Sequence, residues 1–249
     1  MISAAALPGL PRIRPGDDLA SLLAAAAPAD LAGGDVLVVA QKVVSKAEGR
    51  IVRLADVVPT ARARELALRI DKDPRQVQAV LDESTAVVRA RRGVLVVRTH
   101  HGFVCANAGI DASNAPGEDA LVLLPRDPDA SARALRARLR ELRGVAPAVV
   151  ISDSFGRAWR RGQADVALGC AGLVALDDWT GRFDAEGREL RATQIAIADQ
   201  AASAADLARA KDSGEPAVLV RGLERFVTVA DGPGAVAGLV RAVAEDLFL

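Results

Sequence analysis

The stretch Val149-Val150-Ile151-Ser152-Asp153-Ser154-Phe155-Gly156-Arg157-Ala158-Trp159-Arg160 constrains this chain more than any other segment. Pro147 precedes an apolar run of the kind that forms a buried strand. The run then gives way abruptly to a carboxylate, hydroxyls, a glycine and arginines. A strand that ends in oxygen ligands beside cations can hold a metal and a phosphate together. The rest of the chain must then supply the other walls of such a site.

A chain of 249 residues is long enough for one large or two modest domains. Hydrophobic residues make up 51%, which supports a packed core and argues against disorder. The formal net charge of +0 argues against a nucleic-acid or membrane surface built on bulk charge. Only four lysines appear (Lys42, Lys46, Lys72, Lys211); arginine supplies most of the positive charge, as a high-GC genome would favour, and the two clustered lysines, Lys42 and Lys46, stand out against it. Cys105 and Cys170 lie far apart without metal-site spacing and fit reduced core thiols in a cytoplasm. The first ten residues lack the basic flank and apolar core of a signal peptide. No window approaches the roughly 20 apolar residues of a membrane span.

Along the chain, residues 18–27 read as a helix and 35–40 as a strand that stops at Gln41-Lys42, with the segment after it open as a loop. Thr60 is placed to cap a helix whose face is Ala63, Leu66, Ala67 and Ile70. Asp73-Pro74 opens another, with Val77, Val80 and Leu81 inward. Residues 86–90, 94–99 and 103–106, joined by short glycine-bearing turns, read as antiparallel strands. A polar loop (107–114) and a strand (120–124) follow. Residues 129–143 form an amphipathic helix with Leu135, Leu139 and Leu142 on one side and arginines on the other, stopped by Gly144. Beyond the opening stretch come a small apolar run (169–176), tight turns of a hairpin around 177–188, an alanine-rich helix (193–210), a strand (217–220) and a closing amphipathic helix (236–247). The fold class is α/β with α+β character, its mixed sheets carrying antiparallel hairpins.

Asp111 and Asn114 share the loop after one strand, and Asp153 and Ser154 end another. Hard oxygen ligands at strand ends suit Mg²⁺ or Mn²⁺, and ordinary turn or cap aspartates would look the same. Lys42 and Lys46 beside Ser45 and Gly49 suit a phosphate or a solvated loop. Neither a P-loop nor a dinucleotide glycine fingerprint is present, so any nucleotide site is of another design. Arg157, Arg160 and Arg161 around Trp159 read as surface charge or as an anion clamp. His100-His101 reads as a polar turn, and no Ser-His-Asp or Cys-His order appears.

Taken in order, Gly9-Leu10-Pro11-Arg12-Ile13-Arg14-Pro15-Gly16-Asp17-Asp18 and segments 41–50, 107–114, 151–160 and 198–207 resemble the coenzyme F420:L-glutamate ligase (F420-0 gamma-glutamyl ligase) family. Residues 214–222 add to the likeness, which covers nearly the whole chain. The resemblance implies a cytoplasmic, GTP-dependent ligase of coenzyme F420 biosynthesis. It would join L-glutamate to F420-0 through an acyl phosphate, releasing GDP and phosphate. It implies a single ligase domain over residues 1–249, built of two intertwined subdomains, in a homodimer without a C-terminal flavin-binding domain. By the same resemblance Asp111 and Asp153 are catalytic and hold a divalent ion, Mg²⁺ or Mn²⁺. Ser154 and Gln200 are further metal ligands of a two-ion site, and K⁺ is a further candidate cation. Leu10, Pro11, Arg12, Ile13, Gln41, Lys46 and Asn114 match the GTP-contacting set. The competing readings are a non-catalytic GTP-binding regulator on the same scaffold, or an amide ligase for a different acid. None involves nucleic acid or a membrane.

Overall fold

The computed structural model describes residues 1–112 and 119–246. The chain begins with β1 (Ser3–Ala6), α1 (Leu19–Ala26), β2 (Val36–Ala40), α2 (Gln41–Ala47) and β3 (Ile51–Arg53). A helical pair, α3 (Ala61–Ile70) and α4 (Pro74–Asp82), leads into a meander of β4 (Ser84–Arg91), β5 (Val94–Thr99) and β6 (Val104–Ala106). Then come β7 (Ala120–Val122), α5 (Pro128–Arg143), β8 (Ala148–Gly156), β9 (Gln163–Ala171), β10 (Leu176–Asp178) and β11 (Gln194–Ala196). The chain closes with α6 (Ile197–Leu207), β12 (Ala217–Arg221) and α7 (Gly234–Leu239). No helix among the described residues is long and apolar enough to cross a membrane.

The main sheet has the order β1-β12-β2-β8-β9. Its β2–β8 pair is parallel and its other pairs are antiparallel. Val36 to Val39 and Ala148 to Ile151 are fully buried, because helices cover both faces of the pair. This is why both strands read as continuous apolar runs rather than alternating ones. Leu37, Val39, Val149 and Ile151 pack with α1 and α5 through Leu23, Leu135 and Leu139. Val36, Val38 and Val150 face α6, whose Ala198, Ala201, Ala202 and Ala205 let the helix approach closely. A second core joins α3 and α4 to the β4-β5-β6 sheet through Leu66, Ile70, Val77, Leu95 and Val97.

Most expected elements form for the expected reasons. Thr60 Oγ1 accepts the Ala63 N–H at 3.2 Å and starts α3. Pro74 opens α4, while Asp73 caps it by accepting the Arg75 N–H at 2.8 Å. Gly144 ends α5 in the left-handed conformation at φ 70°. Cys105 and Cys170 are free and buried.

Five expectations need correction. The segment after β2 is helix α2, not a loop, because Val44 turns into the core. Strand β9 starts at Gln163, six residues before the apolar run that suggests it, because β8 continues to Gly156 and needs a partner. Residues 194–196 pair with 176–178 as strands, so α6 begins only at Ile197. On α5, Leu142 is 39% exposed, and buried Arg136 replaces it. The Arg136 guanidinium donates to Asp231 Oδ1 at 2.6 Å and to the Thr228 carbonyl at 2.7 Å, so an arginine counts as core when its donors are met. Finally, residues 236–247 are not one helix. Val240 is extended and packs with the Phe103 cluster, which draws the chain off the helical path after Leu239.

Gly169 marks where α5 presses on the sheet. A Cβ there would lie 2.2 Å from the Pro128 carbonyl oxygen, a backbone atom that cannot move aside alone. Gly169→Ala should cost at least about 2–3 kcal/mol of stability by overpacking. Chemical denaturation checks this, and an unchanged midpoint would show that α5 can slide.

Candidate active site

The parallel strands β2 and β8 end their pairing at Ala40 and Ser152. There β2 turns into α2, while β8 runs on beside β9 alone. The split leaves a cavity of about 950 Å³ at the carboxyl ends of the parallel strands. Ligands of open α/β sheets bind at such a crevice. The register of β8 against β9 also shifts between Ile151 and Ser152, an irregularity of the kind that re-aims side chains beside a site.

Helix α2 supplies one wall. Gln41 is buried, and its Oε1 accepts the Ser45 hydroxyl at 2.9 Å. Lys42 and Lys46, one helical turn apart, line the cavity together. Lys42 Nζ lies 2.5 Å from Asp111 Oδ2. Lys46 is only 8% exposed and, among the described residues, forms no ion pair with a carboxylate. Its pKa is lowered by burial first, then by Lys42 and Arg12, while Asp111 pulls the other way. A desolvated ammonium of this kind favours an anionic ligand. Leu10, Pro11, Arg12 and Ile13 form the adjoining wall.

Asp111 reaches the cavity from a left-handed turn. Asn107 (φ 51°), Ala108 (φ 55°) and Gly109 (φ 67°) all have positive φ. Asparagine tolerates this conformation, but alanine does so at a cost. Two bonds to Asn107 Oδ1 hold the turn, from Lys72 Nζ at 3.1 Å and from the Leu95 N–H at 3.2 Å. Lys72 therefore serves the site from a distance. Asp111 then forms an isolated bridge with Val122 through backbone bonds of 2.8 and 3.0 Å.

Asp153 and Ser154 are neighbours on β8, so their side chains leave opposite faces of the strand. Asp153 shares its side with Asp111, Lys42 and Cys105. Its pKa is pushed up to about 7 by burial, with Asp165 and Asp111 adding repulsion and the Ser154 N–H and Lys42 opposing. Ser154 faces Asp165 on β9, and its hydroxyl donates to Asp165 Oδ1 at 2.6 Å. Burial alone would raise Asp165, but bonds from Ser154 and Ser152 and the charges of Arg209 and Lys211 hold it below the usual carboxylate range.

The fold thus brings together Leu10, Pro11, Arg12, Ile13, Gln41, Lys46, Asp111, Asp153 and Ser154. Gln200 is exposed on α6 and does not line the cavity of this chain. Asn114 lies outside the described residues. Arg157, Arg160 and Arg161 sit in the exposed β8–β9 loop, outside the cavity, as does the largely exposed Trp159. His101 Nε2 meets the carbonyls of Pro125 and Arg126, the contacts of a structural turn. Asp165, Arg209 and Lys211 also line the cavity, and none of them was expected there from the sequence. A carboxylate at the head of the apolar run 166–171 and a rare lysine were the available signals.

The family model described as F420-0:Gamma-glutamyl ligase matches residues 9–222. The chain belongs to this family. Curated relatives named "Coenzyme F420:L-glutamate ligase" agree along nearly their full length. The protein of Methanopyrus kandleri is 45% identical over 95% of this chain and 93% of its own. That of Methanothermobacter thermautotrophicus is 43% identical over 99% and 98%. That of Archaeoglobus fulgidus is 46% identical over 96% and 93%. The matched span contains every ligase-family segment that builds the cavity, from Leu10 to Pro216.

The Asp153 shift has a measurable sign. Below about pH 4 the group is protonated in both folded and unfolded chains, and nothing is lost. Between the ordinary value of 3.8 and about 7 only the unfolded chain ionises freely, so folding loses stability as pH rises. With divalent ions chelated, Asp153→Asn should therefore be more stable than the parent at pH 8, by on the order of 2–4 kcal/mol, and equal to it near pH 4. Urea titrations at the two pH values check this; equal stability at pH 8 would refute the shift.

Proposed function

We propose that this protein joins L-glutamate to coenzyme F420-0 in an amide bond, with GTP as the activating co-substrate. The family match across residues 9–222 carries this reading, because it spans every wall of the cavity. The competing readings of a GTP-binding regulator or a ligase for another acid draw no specific support from the site.

A carboxylate is a poor acyl donor because its leaving group would be oxide. In the proposed route an oxygen of the F420-0 carboxylate attacks the γ-phosphorus of GTP, and GDP departs. The acyl phosphate so formed is attacked at its carbonyl carbon by the glutamate amine. Phosphate leaves with the bonding electrons, and the nitrogen loses a proton. Catalysis of this kind consists of positioning and charge neutralisation. Lys46 and Lys42 meet the phosphates from α2. Leu10 to Ile13 and Gln41 form the adjoining nucleotide wall, and Asn114 belongs to the same set by resemblance.

Asp111 and Asp153 fit a divalent ion, Mg²⁺ or Mn²⁺. They are hard oxygen donors on one side of β8, and the burial and repulsion that raise Asp153 are relieved by a cation. Among the described residues no cluster of three or more acidic, histidine or cysteine side chains could hold a metal. Two carboxylates plus substrate phosphates and water are the usual complement for Mg²⁺. When bound, the ion supplies charge to the developing phosphate oxygens. Ser154 serves a second ion, Gln200 joins it only if a homodimer or a ligand brings α6 to the site, and K⁺ is a further cation to test.

Mass spectrometry of F420-0 incubated with protein, GTP, Mn²⁺ and L-glutamate should show a gain of one glutamyl unit. GTP binding without that product would sink the ligase reading. Chelation should abolish turnover, and added Mn²⁺ should restore it. Asp153→Ala should lower kcat by on the order of 10²-fold or more while the chain stays folded. Lys46→Ala should raise the KM for GTP by about tenfold or more, since a desolvated charge–phosphate contact is lost. Unchanged KM would remove Lys46 from the phosphate site.

A further inference from the structure

Asp165 takes no part in the function proposed above. It lies on β9 directly opposite Ser154 of β8, where paired residues share a face. Its carboxylate is 0% exposed although it borders the cavity. Three groups hydrogen-bond it, and Lys211 Nζ pairs with Oδ1 at 3.6 Å. Ser154 Oγ donates to Oδ1 at 2.6 Å, Ser152 Oγ to Oδ2 at 2.9 Å, and Arg209 Nη2 to Oδ2 at 2.6 Å.

The chemistry of these partners fixes the direction of each bond. An ionised carboxylate has no proton, so Ser154 must spend its only proton on Asp165. Lys211 Nζ lies 2.6 Å from Ser154 Oγ and 2.7 Å from Asp206 Oδ1. An ammonium can only donate, so it takes one lone pair of Ser154. What Ser154 offers to anything entering the cavity is therefore its remaining lone pair. Arg209 carries the same carboxylate to a second place, because its Nη1 donates to the Pro216 carbonyl at 3.1 Å. Residues 209–212 and 214–216 form the cavity wall on that side.

We propose that Asp165 is a positioning residue for the ligation. It holds the Ser154 hydroxyl so that Oγ meets the nucleotide's metal as an acceptor. This rests on the ligase reading and deepens it. Replacing the carboxylate by an amide, as in Asp165→Asn, reverses the bond. The new side-chain amide can donate to Ser154, freeing the Ser154 proton to point at an incoming cation. The two lysines of α2 lie on the other side of β8 and keep their grip on the nucleotide.

The test is a kinetic cycle on the full chain with Asp165→Asn, Ser154→Ala and the double variant. Asp165→Asn should lower kcat at least about tenfold with the KM for GTP changed less than about threefold, a split that general loosening does not produce. Mn²⁺ affinity in the presence of GDP, read by electron paramagnetic resonance, should weaken in parallel. Because Asp165 acts through Ser154, the double variant should fall within about threefold of Ser154→Ala alone. Asp165→Glu keeps the charge that Arg209 needs but displaces the acceptor, and should show the same kcat loss at a retained unfolding midpoint. A parent chain that makes no product overturns the ligase reading itself. An active parent with near-parental kcat in both Asp165 variants, or losses that multiply in the double variant, overturns only this inference. Loss of a cooperative unfolding transition in both Asp165 variants would assign Asp165 to stability and overturns it as well.

Discussion

The parallel pairing of β2 with β8 is the constraint on which the rest of the structure depends. Both strands are apolar on both faces, so helices must cover both sides. α1 and α5 cover one face and α6 the other. Parallel strands also end in the same direction, so whatever follows Ala40 and Ser152 lies side by side. One strand turns at once into α2 and the other runs on. The cavity follows from that divergence, and so does the meeting of Lys42 and Lys46 with Asp153.

Beyond Ser152, strand β8 divides the charges of the site. On one side, Asp153 and Asp111 face Lys42 and Lys46. On the other, Ser154 faces the Asp165–Arg209 pair. The first group is poorly balanced: an ammonium is lowered by burial and a carboxylate is raised by burial and repulsion. Shifted groups of this kind mark places where a ligand completes the electrostatics. The second group is internally satisfied, with donors and acceptors matched around a carboxylate that burial fails to neutralise. A binding surface beside a rigid buttress is the arrangement that a reaction relying on positioning requires.

Much of this was legible in the chain. The caps at Thr60 and Asp73, the stop at Gly144 and the inward faces of α3 and α4 follow from local chemistry and periodicity. Asp153 was conspicuous because a carboxylate directly follows a buried run. Asp165 was not, because its strand starts among polar residues and gains its partner only from the far end of β8. Arg136 read as surface charge because helical periodicity cannot anticipate that Asp231 and the Thr228 carbonyl will meet its guanidinium. The closing helix failed for a related reason: Val240 finds the Phe103 cluster, a contact remote in sequence.

The sequence by itself determined the capped helices α3, α4 and α5, the two-sided burial of β2 and β8, and the family to which the chain belongs. Each of these depends on residues close together along the chain or on motifs in a fixed order. Only the tertiary structure decided which carboxylate faces which cation. Adjacent residues of a strand point to opposite sides, so Asp153 and Ser154, inseparable in sequence, meet different hydrogen-bond and ion-pair partners. Asp111 joins the first and Asp165 the second through strand pairings and a left-handed turn. Pairings between distant segments are set by packing of the whole sheet, and no local pattern encodes them.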